Sequence, residues 1–404
     1  MALGVSLRDR FPVLSRTVGD GKRLVYLDNA ATTQKPVEVI HAVSGFYQES
    51  NANVHRGLHT LSEEATTLYE GARKSLGFWV GVDETEVIFV RGATEGINLV
   101  AQAWGGENLG RGDRVLVTVG EHHSNLVPWQ MACKRAGADL ILLPLGEDDL
   151  IDKEALAREL ERGAKVVAFT AQGNVLGAPE DVSGVCQMAR TAGALSVVDA
   201  AQAAAHRRID RDEWGCDVLA LSGHKMMGPM GIGALVGTKT FLEGTPPWMG
   251  GGEMILDVRD RDADWAPIPA KFEAGTMNVA GAVGFHAALD VMRALLDEGM
   301  EDHISGMTRL AVDGLKARDG VHLLAKGEPH GVVSFWVEAA HPHDLSHLMD
   351  QEGVAVRAGH HCAKPLHRRL GIQSSLRASF YGYNDEDDVE VFLGALDRAR
   401  AYLL

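Results

Sequence analysis

Between Val25 and about Gly237, short apolar runs alternate with longer stretches whose apolar residues recur at helical spacing, a pattern that predicts an α/β architecture with a mostly parallel sheet. The apolar runs predict strands over 86–90, 114–118, 139–143, 165–170, 195–199, 217–222 and 232–236, each bounded by turn residues. Between them the pattern predicts a helix over 60–77, where Thr60 and Glu63 have capping-box spacing, and another opening at Thr94. A helix over 281–296 leaves this region, and 308–404 carries a new set of strands and helices. The expected organisation is an arm over 1–25 packed beside the C-terminal part, a large domain over 26–290 and a smaller α/β C-terminal domain over 291–404.

Open α/β sheets bind ligands beyond the carboxyl ends of their strands, so the residues just past each predicted strand carry the information. Past 86–90 comes Gly92-Ala-Thr94, whose small residues, hydroxyl and free backbone N–H groups suit a phosphate, although most such turns are merely turns. Asp199 closes an apolar strand, where a carboxylate needs a cation such as a pyridinium nitrogen or else caps the following helix, and Gln202 lies close by. His122 can stack on an aromatic ring and Asn174 can bond a phenolic oxygen, though each alone is more often a satisfied loop residue. Lys225, in Ser-Gly-His-Lys-Met-Met-Gly-Pro, sits among apolar neighbours, and a desolvated lysine is the better imine former. Phosphate holder, ring stacker, carboxylate and lysine together describe the needs of pyridoxal phosphate.

Composition narrows the classes. The 404 residues carry a formal charge of −16 with no basic stripe, which disfavours a nucleic-acid partner. The first residues do not read as a secretory signal and no apolar run is expected to reach membrane-spanning length, so a cytoplasmic location is expected. Of four cysteines, Cys133, Cys186 and Cys216 fall among apolar residues as buried thiols do, whereas Cys362 stands in Arg-Ala-Gly-His-His-Cys. The chain thus offers an amine and a thiol, each beside histidine, and a thiol can accept sulfur or an acyl group.

In chain order, Tyr-Leu-Asp-Asn-Ala-Ala-Thr-Thr-Gln-Lys-Pro from Tyr26, Asn-Val-His-Arg-Gly from Asn53, Glu-His-His-Ser-Asn-Leu-Val-Pro-Trp from Glu121, Ser-Gly-His-Lys from Ser222, Phe-Glu-Ala-Gly-Thr from Phe272 and Arg-Ala-Gly-His-His-Cys-Ala from Arg357 resemble the cysteine desulfurases of the SufS type. These form group II of the class-V aminotransferase-fold enzymes that use pyridoxal 5'-phosphate, and the resemblance covers nearly the whole chain. It implies the pyridoxal-phosphate transferase fold type I and conversion of L-cysteine to L-alanine, with a persulfide formed on Cys362. The sulfur would pass to an acceptor of the SufE or SufU type for iron–sulfur cluster assembly.

Residue by residue, the resemblance implies Lys225 as the Schiff-base lysine, His122 stacked on the ring, Asp199 at the pyridine nitrogen and Gln202 at the phenolic oxygen. Thr94, Ser222 and His224 would bind phosphate, and Thr276 would reach the phosphate of the other protomer of a homodimer. Asn174 and Arg377 would hold the substrate carboxylate, with Ala30 and Ala31 lining its approach. Arg357 is counted with them, and with His360 and His361 as a neighbour that favours the Cys362 thiolate. His55 and Arg56 would line the entrance.

Other readings remain in view. A pyridoxal-phosphate aminotransferase needs no thiol, and a selenocysteine lyase on the same fold needs less help from one, so Cys362 weighs against the first and less against the second. A non-catalytic sulfur carrier would have no use for Lys225, Asp199 and His122. The histidines near Cys362 suggest zinc, since His343 and His347 have i,i+4 spacing, but no second cysteine completes a set and no internal metal is expected. His343, in a His-Pro-His-Asp turn, is instead the candidate to meet a metal or thiol on a docking partner.

Overall fold

The computed structural model describes residues 3–404. Its central sheet has seven strands: β1 (Val87–Val90), β2 (Arg114–Thr118), β3 (Asp139–Leu143), β4 (Val166–Thr170), β5 (Leu195–Asp199), β6 (Val218–Ser222) and β7 (Gly233–Gly237). They lie in the order β1-β7-β6-β5-β4-β2-β3, and β7 alone runs against its neighbours. The sheet is therefore mixed but mostly parallel, as the apolar runs predict. Strand ends differ from expectation by one residue, for local reasons. Glu86 is held in a turn, where both its carboxylate oxygens accept from Arg211 Nη2 at 3.0 Å. Asp217 likewise ends outside β6, accepting from the Ser196 amide at 2.9 Å and hydroxyl at 2.8 Å.

Helix α1 (Thr60–Trp79) is capped one residue earlier than the capping-box spacing implied. His59 is extended and its Nδ1 accepts from the Ser62 amide at 3.3 Å, so Thr60 lies inside the helix. Helix α2 (Ala93–Leu99) opens behind Gly92, which lies so close to β7 that a Cβ on Gly233 would come within 2.7 Å of its Cα. Helix α3 (Val279–Asp297) corrects an expectation: it is long and apolar enough to cross a membrane by length and composition. It packs instead against α1 and the helix Val37–Gly45, with its apolar residues in the main core.

A second sheet, fully antiparallel, has the order β8-β9-β11-β10, with β8 (Val321–Leu323), β9 (Val332–Val337), β10 (Arg357–Gly359) and β11 (Ser375–Ser379). Helices α4 (Met300–Lys316), α5 (Pro342–Gln351) and α7 (Glu386–Leu403) share its hydrophobic cluster, and α6 (Lys364–Arg369) joins β10 to β11. The N-terminal segment is attached here: Val25–Tyr26 pairs with Val354–Ala355, the Ser379 amide donates to the Leu27 carbonyl at 2.7 Å, and the Gly4 amide donates to the Gly382 carbonyl at 2.9 Å. Residues 28–31 consequently pass between the two sheets.

A buried ion pair ties α1 to β1. The Arg73 guanidinium meets Glu273 through Nη1 at 2.7 Å and Nη2 at 2.8 Å. Glu273 also accepts from the Tyr69 hydroxyl at 2.8 Å and the Phe89 amide at 2.7 Å. Both partners are out of solvent, so removing one strands the other. Arg73→Ala is expected to lower the free energy of unfolding by about 3–5 kcal/mol, read by chemical denaturation; a change below about 1 kcal/mol, the range of exposed pairs, would contradict this role.

Candidate active site

The carboxyl ends of β1, β2, β4, β5 and β6 face one edge of the central sheet, where residues 28–31 and the second sheet close over them. They enclose a cavity of about 150 Å³. Lys225 lines it from a short turn, Gly223–Lys225, directly after β6. The His224 carbonyl accepts from the Thr33 amide at 3.1 Å, the Thr32 hydroxyl at 3.0 Å, the Thr33 hydroxyl at 3.2 Å and Lys35 Nζ at 2.8 Å. Residues 32–35 therefore fix the turn that carries the amine. Lys225 Nζ makes no hydrogen bond among the described residues. Burial pushes its ammonium down to about 8, against the opposing pull of Asp199.

Asp199 ends β5 at the cavity wall, 5% exposed, with the Ala201 amide donating to Oδ1 at 3.0 Å. Burial raises its pKa, and Lys225 and then the Ala201 amide oppose that rise. His122 lies in the turn after β2. The Ser124 amide donates to its Nδ1 at 3.1 Å, which leaves the proton of the neutral ring on Nε2. Burial, reinforced by Lys225, His123, Arg377 and Arg357, lowers its pKa to about 3, so the ring is uncharged at neutral pH. Ser124 Oγ lies 2.9 Å from the same nitrogen and 2.7 Å from Thr94 Oγ1. Ser222 Oγ accepts from the Ala93 amide at 2.9 Å, and His224 completes this end of the cavity.

The opposite wall comes from the second sheet. Arg357 on β10 and Arg377 on β11 stand directly opposite in register. Like charges so placed repel, a cost that an anion between them would remove. Arg377 donates to Asp28 Oδ1 at 3.1 Å and to the Asn174 carbonyl at 3.0 Å, while its buried Nε has no partner. Asn174 Nδ2 donates to the His361 carbonyl at 2.7 Å, and the His123 amide donates to the Cys362 carbonyl at 2.7 Å. His361 and Cys362 both take left-handed backbone conformations, φ 49° and 56°, which non-glycine residues hold only when their surroundings impose them.

The cavity brings together Ala30, Ala31, Thr94, His122, Asn174, Asp199, Ser222, His224, Lys225, Arg357, Cys362 and Arg377. Gln202 is not on its wall: its Nε2 donates to the Ala30 carbonyl at 2.9 Å, behind the lining. Thr276 is exposed and outside it. His55 pairs with Glu70 at 2.8 Å and Arg56 with Glu253 at 3.1 Å beside a separate pocket. His343 is at the exposed start of α5, its ring stacked on His341, and no group of three or more metal-ligating side chains occurs among the described residues. Cys133, Cys186 and Cys216 are buried and Cys362 is half-buried.

Ser124 and Glu121 have no role assigned from the sequence, and His361 is expected only as a neighbour of the thiol. Ser124 links Thr94 to His122, and its place in the His-His-Ser-Asn turn was the available signal. His361 lines the cavity with Nε2 3.1 Å from Ser375 Oγ. Glu121, fully buried behind the His122 turn, accepts from the Thr118 hydroxyl at 2.6 Å, the Asn125 side chain at 2.7 Å and the Thr170 amide at 3.0 Å, and burial pushes its carboxyl up to about 8.

A buried amine with no partner, an under-satisfied carboxyl, a neutral flat ring and a hydroxyl-lined end fit the amine-reactive aldehyde, ring nitrogen, ring face and phosphate of pyridoxal phosphate. The fold and site define an enzyme that depends on that cofactor. The chain belongs to the class-V aminotransferase family, whose sequence model matches residues 25–392. It is 44% identical to a probable cysteine desulfurase of Halalkalibacterium halodurans over 98% of both chains. Its structure superposes on an apo cysteine desulfurase of Thermococcus onnurineus with TM-score 0.94 and 34% identity, covering 100% of this chain and 99% of that one. A cysteine desulfurase of Escherichia coli in an S-sulfonic acid form gives 0.90 and 36%, over 99% and 98%.

The lowered pKa of Lys225 has a measurable sign. Only the free amine attacks an aldehyde, so attachment of pyridoxal phosphate to the cofactor-free protein is expected to accelerate with pH, about tenfold per unit below the midpoint, and to level off above about 8. Visible absorption follows the attachment. A midpoint above 10, as for an exposed lysine, would contradict the desolvated setting.

Proposed function

We propose that this protein is a cysteine desulfurase that converts L-cysteine to L-alanine and leaves the sulfur as a persulfide on Cys362. The observation that carries the reading is that one cavity holds both the Lys225 amine and the Cys362 thiol, with a facing pair of arginines between the strands above them. When bound, pyridoxal phosphate withdraws electrons from the α-carbon of an amino acid joined to it. Lys225 would hold the cofactor at rest and, once free, its amine, lowered to about 8 by burial, would move the α-proton. His122, uncharged, would lie against the ring, Asp199 would meet the ring nitrogen, and Thr94, Ser222 and His224 would hold phosphate. Gln202 reaches the phenolic oxygen if its bond to Ala30 is exchanged.

Arg377 and Arg357, with Asn174, hold the substrate carboxylate beside Ala30 and Ala31 and so aim the sulfur at Cys362. The Cys362 thiolate attacks that sulfur. The carbon–sulfur bond breaks, its electron pair stays on carbon, and a proton completes the methyl group of alanine. Atoms and electrons balance without an oxidant.

The reading extends to a cytoplasmic homodimer, with the exposed Thr276 reaching the partner's phosphate. It extends also to sulfur delivery to a SufE-type or SufU-type acceptor for iron–sulfur cluster assembly, and to an N-terminal arm, a large cofactor domain over 26–290 and a small domain over 291–404. The test is alanine production from L-cysteine, with and without each acceptor. Cys362→Ser is expected to lose at least about 100-fold in turnover while keeping the cofactor's visible absorption. Turnover by Cys362→Ser at the wild-type rate would overturn the persulfide route.

A further inference from the structure

Between Glu352 and Asp385 the chain has no acidic side chain, yet Arg357, Lys364, Arg368, Arg369 and Arg377 all fall there, in a protein of formal charge −16. Arg377 is buried against Asp28. The other four are exposed, and none forms an ion pair among the described residues. Lys364, Arg368 and Arg369 stand on α6, which begins two residues after Cys362. Its six residues span about 9 Å, so a helix carrying three exposed cations starts beside the thiol's loop.

Cationic neighbours surround the histidine rings beside the thiol. At His123, burial and then His360 and Lys364 disfavour the charged ring. At His361, burial is joined by Arg377, His367 and Arg357, and the pKa falls to about 2. At His122 the added charges are Lys225, His123, Arg377 and Arg357. The thiol is also fixed in place: the carbonyls of His361 and Cys362 are bonded to Asn174 and His123, so a sulfur acceptor has to come to it.

We propose that the face formed by Arg357, His360, Lys364, Arg368 and Arg369 docks an acidic surface segment of the acceptor protein, one whose reactive cysteine lies among carboxylates. This rests on the desulfurase reading. In the transfer, the acceptor thiolate attacks the terminal sulfur of the Cys362 persulfide. A new sulfur–sulfur bond forms, the old one breaks, and its electron pair leaves with Cys362 as thiolate. The positive rim raises the encounter rate of a negatively charged thiol and attracts it weakly once salt screens the charges. A long polyanion would meet the acidic remainder of the surface.

The experiment uses holoenzyme and two synthetic peptides, one with cysteine flanked by glutamates and one with the same cysteine flanked by lysines, as acceptors of sulfur from Cys362. The ratio of the two transfer rates cancels the intrinsic reactivity of the peptide thiols when compared between enzymes. In Arg368→Glu/Arg369→Glu that acidic-to-basic ratio is expected to fall about tenfold, and in the wild type it should fall towards the variant's as salt is raised. Alanine formation with dithiothreitol, a neutral acceptor, should stay within about twofold of wild type. Arg368→Gln/Arg369→Gln should give an intermediate ratio. A ratio unchanged by both the substitutions and salt, in an enzyme that still makes alanine with dithiothreitol, overturns the docking proposal alone. No alanine from the wild type with dithiothreitol overturns the desulfurase reading and this proposal with it.

Discussion

Two adjacent backbone carbonyls carry the arrangement. Those of His361 and Cys362, on the loop between β10 and α6, are bonded to the Asn174 side chain and the His123 amide, both from turns at the edge of the central sheet. Two consecutive non-glycine residues in the left-handed region cost roughly 1–3 kcal/mol each. Two buried hydrogen bonds return about 1 kcal/mol apiece, so the surrounding packing, including the Ser375 hydroxyl between His361 and His367, supplies the remainder. The result is a thiol from one sheet held over an amine from the other. Loosening either carbonyl would leave both nucleophiles present but no longer in one reaction.

The charges within the cavity follow from the same convergence. Lys225, Arg357 and Arg377 face a single lining carboxylate, Asp199, and every histidine on the wall with a lowered pKa is uncharged at neutral pH. Asp28 already pairs with Arg377 and Arg357 is exposed, so the cationic charge left for anionic ligands to offset is mainly that of Lys225 and Arg357. A phosphate at the Thr94 end and a carboxylate between the two arginines would do so.

Much of this was legible in the chain because parallel strands buried on both faces read as apolar runs, and the residues after them had few places to go. Asp199 at the end of such a run, and Lys225 in a dry glycine-rich turn, each announced a charge in the wrong solvent. Side-chain direction was not legible. Gln202 turns to the Ala30 carbonyl, and Ser124 turns inward to join Thr94 with His122, because tertiary partners decide each rotamer. His59 displaced Thr60 as the helix cap because its backbone entered the helix extended. Helix α3 has the composition of a membrane span but lies in the core, since apolar content alone does not distinguish the two.

In the proposed reaction, Cys362 takes the sulfur that Lys225 helps to release. It is tested most directly by exposing the holoenzyme to L-cysteine without an acceptor, then measuring the mass of the Cys362 peptide and the alanine formed. One additional sulfur on that peptide, matched by one equivalent of alanine per site and absent in Lys225→Ala, is the predicted result. An equivalent burst of alanine with Cys362 unmodified would contradict it.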